Sequence, residues 1–119
     1  MKTTLEELKE AIRQLIVLKD GNKFFPDLSL IYPGTETEWR RQHLNDYVNQ
    51  FIDDLIIVLT TENITNDDIR NQFKIGLMRI NRLRPDVVDK QRVCQYFDEI
   101  RMIIGFENIN AMLEKWLKR

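Results

Sequence analysis

Apolar side chains recur three and four positions apart in five stretches of this 119-residue sequence. That spacing lines one face of an α-helix, whereas a half-buried strand needs strict alternation, which no stretch shows. The pattern therefore predicts an all-α fold, in which residues 1–119 form a single domain built as one compact bundle. The helices are expected near residues 4–19, 36–59, 66–82, 86–104 and 109–117.

The second of these helices is the longest, about 36 Å at 1.5 Å per residue. Its last turns are apolar on nearly every side, which predicts a central position in the bundle. Thr35 and Glu38 have the spacing of a capping box at its start, and Asn108 is the expected N-cap of the fifth helix. Gly76 lies within the apolar face of the third helix, so another helix is expected to pack closely there.

The segment between the first two helices, NKFFPDLSLIYPG over residues 22–34, carries two prolines and a terminal glycine. Proline fixes its own φ and biases the preceding residue towards extended backbone, so the segment is predicted to be a loop. Its aromatic side chains are expected to hold it against the core. Phe25, directly before Pro26, is the expected structural clamp.

Four residues in and after this loop are candidates for binding a partner: Tyr32, Trp39, Arg40 and Arg41. Aromatic and arginine side chains are common anchors of protein interfaces. Trp39 is expected to be more exposed than Phe25. The sequence leaves open the alternative that the aromatic residues only clamp the loop onto the core.

Composition and charge exclude several classes of function. A formal net charge of −1 lacks the concentrated positive field that drives nonspecific binding to nucleic acid. The longest unbroken apolar run, Leu55 to Leu59, is far shorter than the roughly 20 residues that span a bilayer. Glutamates interrupt the N-terminal stretch where a secretory signal needs its apolar centre, and a lone cysteine fits a reducing compartment. We expect a cytoplasmic protein that does not enter a membrane.

The residues able to carry chemistry are few. Cys94 falls at the edge of the apolar face of the fourth helix, so its thiol is expected to be buried and inert. His43 has no orienting group or nucleophile indicated near it in the sequence. One histidine and one cysteine cannot supply the common zinc ligand sets. No catalytic residue, cofactor or metal is therefore expected.

The densest basic patch consists of Arg79, Arg82 and Arg84, at the end of the third helix. Cations are favoured there by the helix dipole, and Asp86, Asp89 and Asp98 are available to neutralise them. Binding of nucleic acid through this patch is the third of three functional hypotheses, because phosphate recognition needs more uncompensated charge.

The segment RVCQYFDEI, followed by IIGFENINAMLEKWL and preceded much earlier by IYPG, resembles the bacterial domain-of-unknown-function family 4844. The resemblance covers most of the chain and is densest near its C-terminus. It departs from the family where Asn108, Ile109 and Asn110 replace a serine-rich turn, and where Lys118 and Arg119 replace a Tyr-Gly tail. The matching positions are Tyr32, Pro33, Gly34, Arg92, Val93, Cys94, Tyr96, Phe97, Gly105, Glu107, Leu113 and Trp116.

This family has no established activity, so the resemblance supports the fold and leaves the function open. The leading hypothesis is a small non-catalytic protein-binding protein. Its specific version is an immunity-type protein that neutralises a bacterial toxin or secreted effector. The alternative is a ligand-binding or enzymatic domain in which the Tyr32 loop forms one wall of a pocket. A pocket joining Tyr32, His43 and a carboxylate would favour that alternative, and an exposed aromatic patch would favour the protein partner.

Overall fold

The fold is that of a computed structural model, which describes residues 4–119. No strand occurs in that range, so the predicted all-α class is confirmed, and every helix boundary lies within two residues of its predicted position. None of the helices in residues 4–119 has the length and apolar character needed to cross a bilayer. The helices are α1 (Leu5–Asp20), α2 (Glu38–Leu59), α3 (Asn66–Asn81), α4 (Val87–Ile104) and α5 (Asn110–Leu117).

The helices pack around one core, in which α2 lies against α1 and α3, and α4 lies against α1 and α5. Phe51, Phe73 and Phe97 bring rings from α2, α3 and α4 together at its centre. The rings of Phe51 and Phe97 stack with centroids 4.4 Å apart, and Phe73 meets Phe51 edge to face at 4.9 Å. These three buried rings join the long central helix to its neighbours.

Gly76 in α3 faces two of these rings. A Cβ atom at this position would lie 3.0 Å from the ring of Phe51 and 3.1 Å from that of Phe97, closer than an ordinary van der Waals contact. The close packing predicted from a glycine inside the apolar face is confirmed. The helix-propensity penalty of glycine is accepted here because a side chain would push the aromatic rings apart.

The helix caps agree with the sequence in part. Thr65 and Asp68 form a complete capping box at the start of α3. The box expected at Thr35 is wrong, because Thr37 is the N-cap of α2 and accepts from the Arg40 N–H at 3.1 Å. Asn108 accepts from the Asn110 N–H at 2.7 Å, although the residue at the N-cap position of α5 is Ile109. The Thr35 hydroxyl forms its hydrogen bonds with Tyr32 and Asp89 instead.

Candidate partner-binding loop

Two adjacent phenylalanines in the loop point to opposite environments. Phe24 is 1% exposed, meets Tyr96 edge to face at 5.1 Å, and donates its backbone N–H to the Tyr96 hydroxyl at 3.1 Å. Phe25 is 44% exposed, with the Arg41 guanidinium 4.2 Å from its ring centroid. The prediction that Phe25 clamps the loop is wrong, because the left-handed backbone at Phe24, with φ 65°, turns the first ring inward instead.

Lys23 anchors the start of the loop, a role that no pattern in the sequence indicates. Its side chain is almost fully buried, and its ammonium donates to the carbonyls of Lys19 at 2.8 Å and Gly21 at 2.9 Å. A third bond, to the Asn45 side chain, is 3.2 Å long. Burial lowers the pKa of Lys23 to about 8. The ammonium satisfies carbonyls left free at the end of α1, so Lys23 serves as a C-terminal cap.

A second anchor joins the far end of the loop to α4. The Tyr32 hydroxyl donates to the Asp89 carboxylate at 2.7 Å, and Thr35 donates to the same oxygen at 3.2 Å. Tyr32 and Asp89 are both buried. Burial raises the pKa of Tyr32, and it also raises the pKa of Asp89, where the hydrogen bond from Tyr32 acts in the opposite direction. Tyr32 therefore links the loop to α4 inside the protein. Asp89 accepts a hydrogen bond from Tyr32, and no ion pair joins it to the arginines at the end of α3 among residues 4–119.

The tip of the loop lies between these anchors and turns outward. Asp27 and Tyr32 exchange two backbone hydrogen bonds of 2.9 Å, which close a 3-10 turn at Leu28–Leu30. The Asp27 carboxylate also accepts from the N–H and the hydroxyl of Ser29, at 3.0 and 2.6 Å. Leu28 is 94% exposed and Ile31 is 91% exposed. We call Leu28, Leu30 and Ile31 the apolar tip.

The backbone of the tip is strained at one position. Ile31 has φ 52°, in the left-handed region that β-branched residues rarely adopt. Below the tip, Gly34 has φ 90°, and a Cβ atom there would lie 2.9 Å from the Pro26 ring, so the loop requires glycine at this point. The surrounding hydrogen bonds hold Ile31 in this conformation, which keeps an aliphatic side chain in solvent.

The three other candidate residues have different surroundings at the start of α2. Trp39 is 60% exposed and lies on His43, with ring centroids 4.0 Å apart. Arg40 donates to the carbonyl of Leu83 at 2.6 Å, which ties α2 to the turn after α3. Arg41 pairs with Glu38 as it covers Phe25. Trp39 is available at the surface, whereas the Arg41 side chain is only 16% exposed and Arg40 acts as a structural link.

The groups considered for catalysis are not brought together. Cys94 is 9% exposed, as predicted, and burial raises the pKa of its thiol to about 11. The Nδ1 atom of His43 lies 2.8 Å from the Trp39 carbonyl. Three surface clefts of about 400 to 470 Å³ are lined by neither Tyr32 nor His43. In residues 4–119, no cluster of three histidine, cysteine or carboxylate side chains could hold a metal ion.

The basic patch at the end of α3 is partly neutralised by α2, which the order of residues in the sequence does not indicate. Arg79 pairs with Asp54 of α2 at 2.7 Å, and not with the aspartates that follow α3. Asp98 pairs instead with Arg101 at 2.8 Å, one turn along α4. Arg82 and Arg84 are exposed. The patch therefore lacks the continuous run of uncompensated cations that phosphate binding requires.

Comparison with known proteins gives a family and a fold. The family model for a domain of unknown function, DUF4844, matches residues 6–119, which confirms the resemblance found in the sequence. A crystal structure of a DUF3571 family protein from Acinetobacter baumannii AYE is similar, with a TM-score of 0.84 and 24% sequence identity. The match covers 94% of this chain and 91% of that chain, and at this identity it supports the fold alone. No curated protein matches the sequence.

Proposed function

The chain belongs to the DUF4844 family, a domain of unknown function, and we propose that it is a non-catalytic protein-binding protein. In this proposal the apolar tip inserts into a concave site of a partner. Trp39 is a further candidate for contact with the partner, because it is exposed at the start of α2. Arg41 is a candidate at the edge of that contact, because its mostly covered guanidinium lies over the exposed ring of Phe25. Tyr32 and Arg40 support the fold of this region.

The observation that carries the proposal is the near-complete exposure of Leu28 and Ile31 on a turn with a hydrogen-bonded backbone. Full burial of an aliphatic side chain is favourable by about 1.5–3 kcal/mol, so two such residues can contribute several kcal/mol to an interface. Because the loop is already held in one conformation, little further entropy is lost when it binds. A tip used only for folding would not need to hold both side chains in water.

The shape of the loop indicates the kind of site it fits. A short, preorganised turn is convex, and it complements a cleft better than it does a flat surface. Protease inhibitors are examples of tight binding by interfaces of ordinary size. This shape supports an immunity-type protein, which blocks a cleft of a toxin or secreted effector. We propose the bacterial cytoplasm as its location.

The experiment compares the wild-type chain with the double variant Leu28→Asp, Ile31→Asp. An effector encoded beside this gene is expressed alone and together with each form, and its binding to the purified proteins is measured by calorimetry. We expect rescue and binding by the wild type, and at least about 30-fold weaker binding by the double variant, the scale of a ~2 kcal/mol hot spot. Ile57→Asp is the matched control, because Ile57 is equally apolar and 65% exposed but lies on α2.

Two outcomes would contradict the proposal. Equal rescue by the wild type and the tip variant would show that the apolar tip is not the binding surface. Tip-dependent binding to phospholipid vesicles, without neutralisation of any effector, would assign the tip to a membrane surface instead. The melting temperature of each variant is measured in parallel, and neither tip residue is expected to change it by more than a few degrees, since both are exposed.

A further inference from the structure

A separate cleft of about 400 Å³ lies between α3 and α5, and none of its lining residues belongs to the loop. Its apolar lining comes from Leu77 and Met78 of α3 and from Met112 and Trp116 of α5. The remaining lining residues are Lys74, Ala111, Lys115 and Arg119.

The helical spacing explains why the cleft forms. Lys74 and Met78 are one turn apart on α3, and Ala111 and Lys115 are one turn apart on α5, so each pair lies on one face of its helix. Ala111 contributes only a methyl group where a longer side chain would fill the space between the helices. Met78 is 60% exposed although it lines the cleft, which leaves flexible apolar surface open to solvent.

The charged side chains that line the cleft have one sign. Lys74, Lys115 and Arg119 line it, and no carboxylate side chain does. In the part of the chain that the structure describes, neither Lys74 nor Lys115 forms an ion pair, whereas Arg79 and Arg101 do. The unpaired lysines therefore give the cleft a positive potential that favours anions.

The floor of the cleft holds one further polar group. Trp116 is 3% exposed, and its indole N–H has no acceptor among residues 4–119. Buried donors are nearly always paired, so this one is unusual. The ammonium of Lys90 lies 5.2 Å from the centre of the Trp116 ring and donates to the Arg119 carbonyl oxygen at 2.9 Å. A buried cation, which is not part of the cleft lining, therefore also contacts the Trp116 ring.

We propose that this cleft binds a small anionic amphiphile, an aliphatic carboxylate whose chain lies on the apolar floor and whose charge meets the lysines. The volume is within the range of about 300–1,000 Å³ that is typical of small-molecule sites. With eight residues, α5 is about 12 Å long. A groove of that length is too short for a docked helix to bury the roughly 1,000 Å² that a stable protein interface needs. This inference is independent of the partner proposed for the loop.

The probe is sodium decanoate below its micelle concentration, with decanol and a decyltrimethylammonium salt as neutral and cationic analogues. Binding is followed through the two tryptophan indole signals in ¹H–¹⁵N correlation spectra, which Trp39→Phe assigns. We expect decanoate to shift the Trp116 signal saturably and to leave the exposed Trp39 signal in place. Decanol is expected to bind at least about fivefold more weakly, the scale of one well-placed ion pair.

Three variants sharpen the test. The double variant Lys74→Gln, Lys115→Gln is expected to weaken decanoate binding at least about fivefold. Ala111→Leu, which narrows the cleft, is expected to weaken it by a similar factor. Lys118→Gln, directly after α5 and outside the lining, is the matched control and should bind within about twofold of the wild type. Because all the substituted side chains are exposed, the fold should persist, which the rest of each spectrum verifies.

Several outcomes would overturn the proposal. No shift of Trp116 up to about 5 mM decanoate would leave no site of useful affinity. If decanol or the cationic analogue bound as tightly as decanoate, the lysines would not be recognising the charge of the ligand. Shifts of Trp39 and Trp116 that rise together without saturation would indicate detergent-like adsorption.

Discussion

The aromatic core and the loop between α1 and α2 are both held tightly, but by different forces. Phe51, Phe73 and Phe97 are buried against one another, and their order comes from the close packing of rings. The loop is held by a buried ammonium under three acceptors and by a tyrosine bonded to a carboxylate on α4. An apolar core tolerates substitutions that conserve its volume. A buried polar anchor is destabilised when one partner is removed, because the other is left without a hydrogen bond.

The comparison also shows that a segment can be rigid without being buried. The core is rigid because its side chains are surrounded. The apolar tip is rigid while Leu28 and Ile31 remain in solvent, because the hydrogen bonds that order it lie beneath them. A surface can thus be preorganised for binding without being part of the core.

The largest expected effect is in the core. Phe97→Ala should lower the free energy of unfolding by about 4 kcal/mol, because it empties a fully buried ring site beside Phe51 and Gly76. Urea denaturation followed by circular dichroism measures the change. Met102→Ala, on the same helix but 58% exposed, is the control and should change it by less than about 0.5 kcal/mol. Similar losses for the two variants would show that Phe97 is not in the core.

The second prediction separates the two loop phenylalanines. Phe24→Ala should cost about 3 kcal/mol of stability, the low end for emptying a buried aromatic site, and Phe25→Ala should cost less than about 1 kcal/mol. Thermal and urea unfolding of the two variants are compared directly. A larger loss for Phe25→Ala would restore Phe25 as the clamp and reverse the assignment made from burial.

The third prediction concerns the polar anchor. Tyr32→Phe should cost about 2–3 kcal/mol, because the buried Asp89 carboxylate loses its shorter hydrogen bond. Hydrogen exchange of the loop amides should become faster at the same time. Tyr47→Phe is the matched control, since no hydrogen bond of its hydroxyl occurs in residues 4–119 and Tyr47 is only partly buried. If Tyr32→Phe and Tyr47→Phe were equally stable, the hydrogen bond from Tyr32 to Asp89 would contribute nothing to the free energy of unfolding.

The fourth prediction tests the thiol at the edge of the core. Cys94→Ser should cost roughly 1–3 kcal/mol, because the hydroxyl is buried without a sure partner. The native thiol should also react slowly with a thiol reagent at neutral pH, since its pKa of about 11 keeps it protonated. Urea-unfolded protein provides the reference rate. Rapid labelling of the folded protein would assign Cys94 to a reactive site.

The smallest expected effect has the opposite sign. Ile31→Asn should raise the free energy of unfolding by about 0.5–1 kcal/mol, because asparagine tolerates the left-handed backbone and almost no packing is lost. Leu28→Asn, with the same new side chain on a residue without positive φ, should leave stability unchanged. A destabilised Ile31→Asn variant would mean that Ile31 is packed and unstrained.

Much of the fold follows from the sequence because helices are local structures. The apolar spacing locates all five, and the threonine–aspartate capping box at Thr65 is satisfied within one turn. The box expected at Thr35 fails because a distant group, Asp89, competes for the same hydroxyl. Capping rules consider only residues within one turn, so they do not include a hydrogen-bond acceptor on another helix.

The candidate site was predicted less well, for the same reason. Trp39 was expected at the surface and is exposed, but Tyr32 was considered for partner binding and is buried. The sequence does not indicate the exposed aliphatic tip, because leucine and isoleucine usually pack inward. The only sign of the tip in the sequence is the cluster of apolar residues between Pro26 and Pro33. This cluster does not indicate which of its side chains face solvent.

The class of the fold, the positions of the helices and the family can all be read from the sequence, because each depends on spacing or on short matching segments. The tertiary structure decided which of two neighbouring phenylalanines enters the core, which partner Tyr32 meets 57 residues away, and which cations stay unpaired around the α3–α5 cleft. These outcomes depend on distances between segments that are remote along the chain. Hydrogen bonds and ion pairs act over a few ångströms, so only the packed arrangement of the helices decides which of them form.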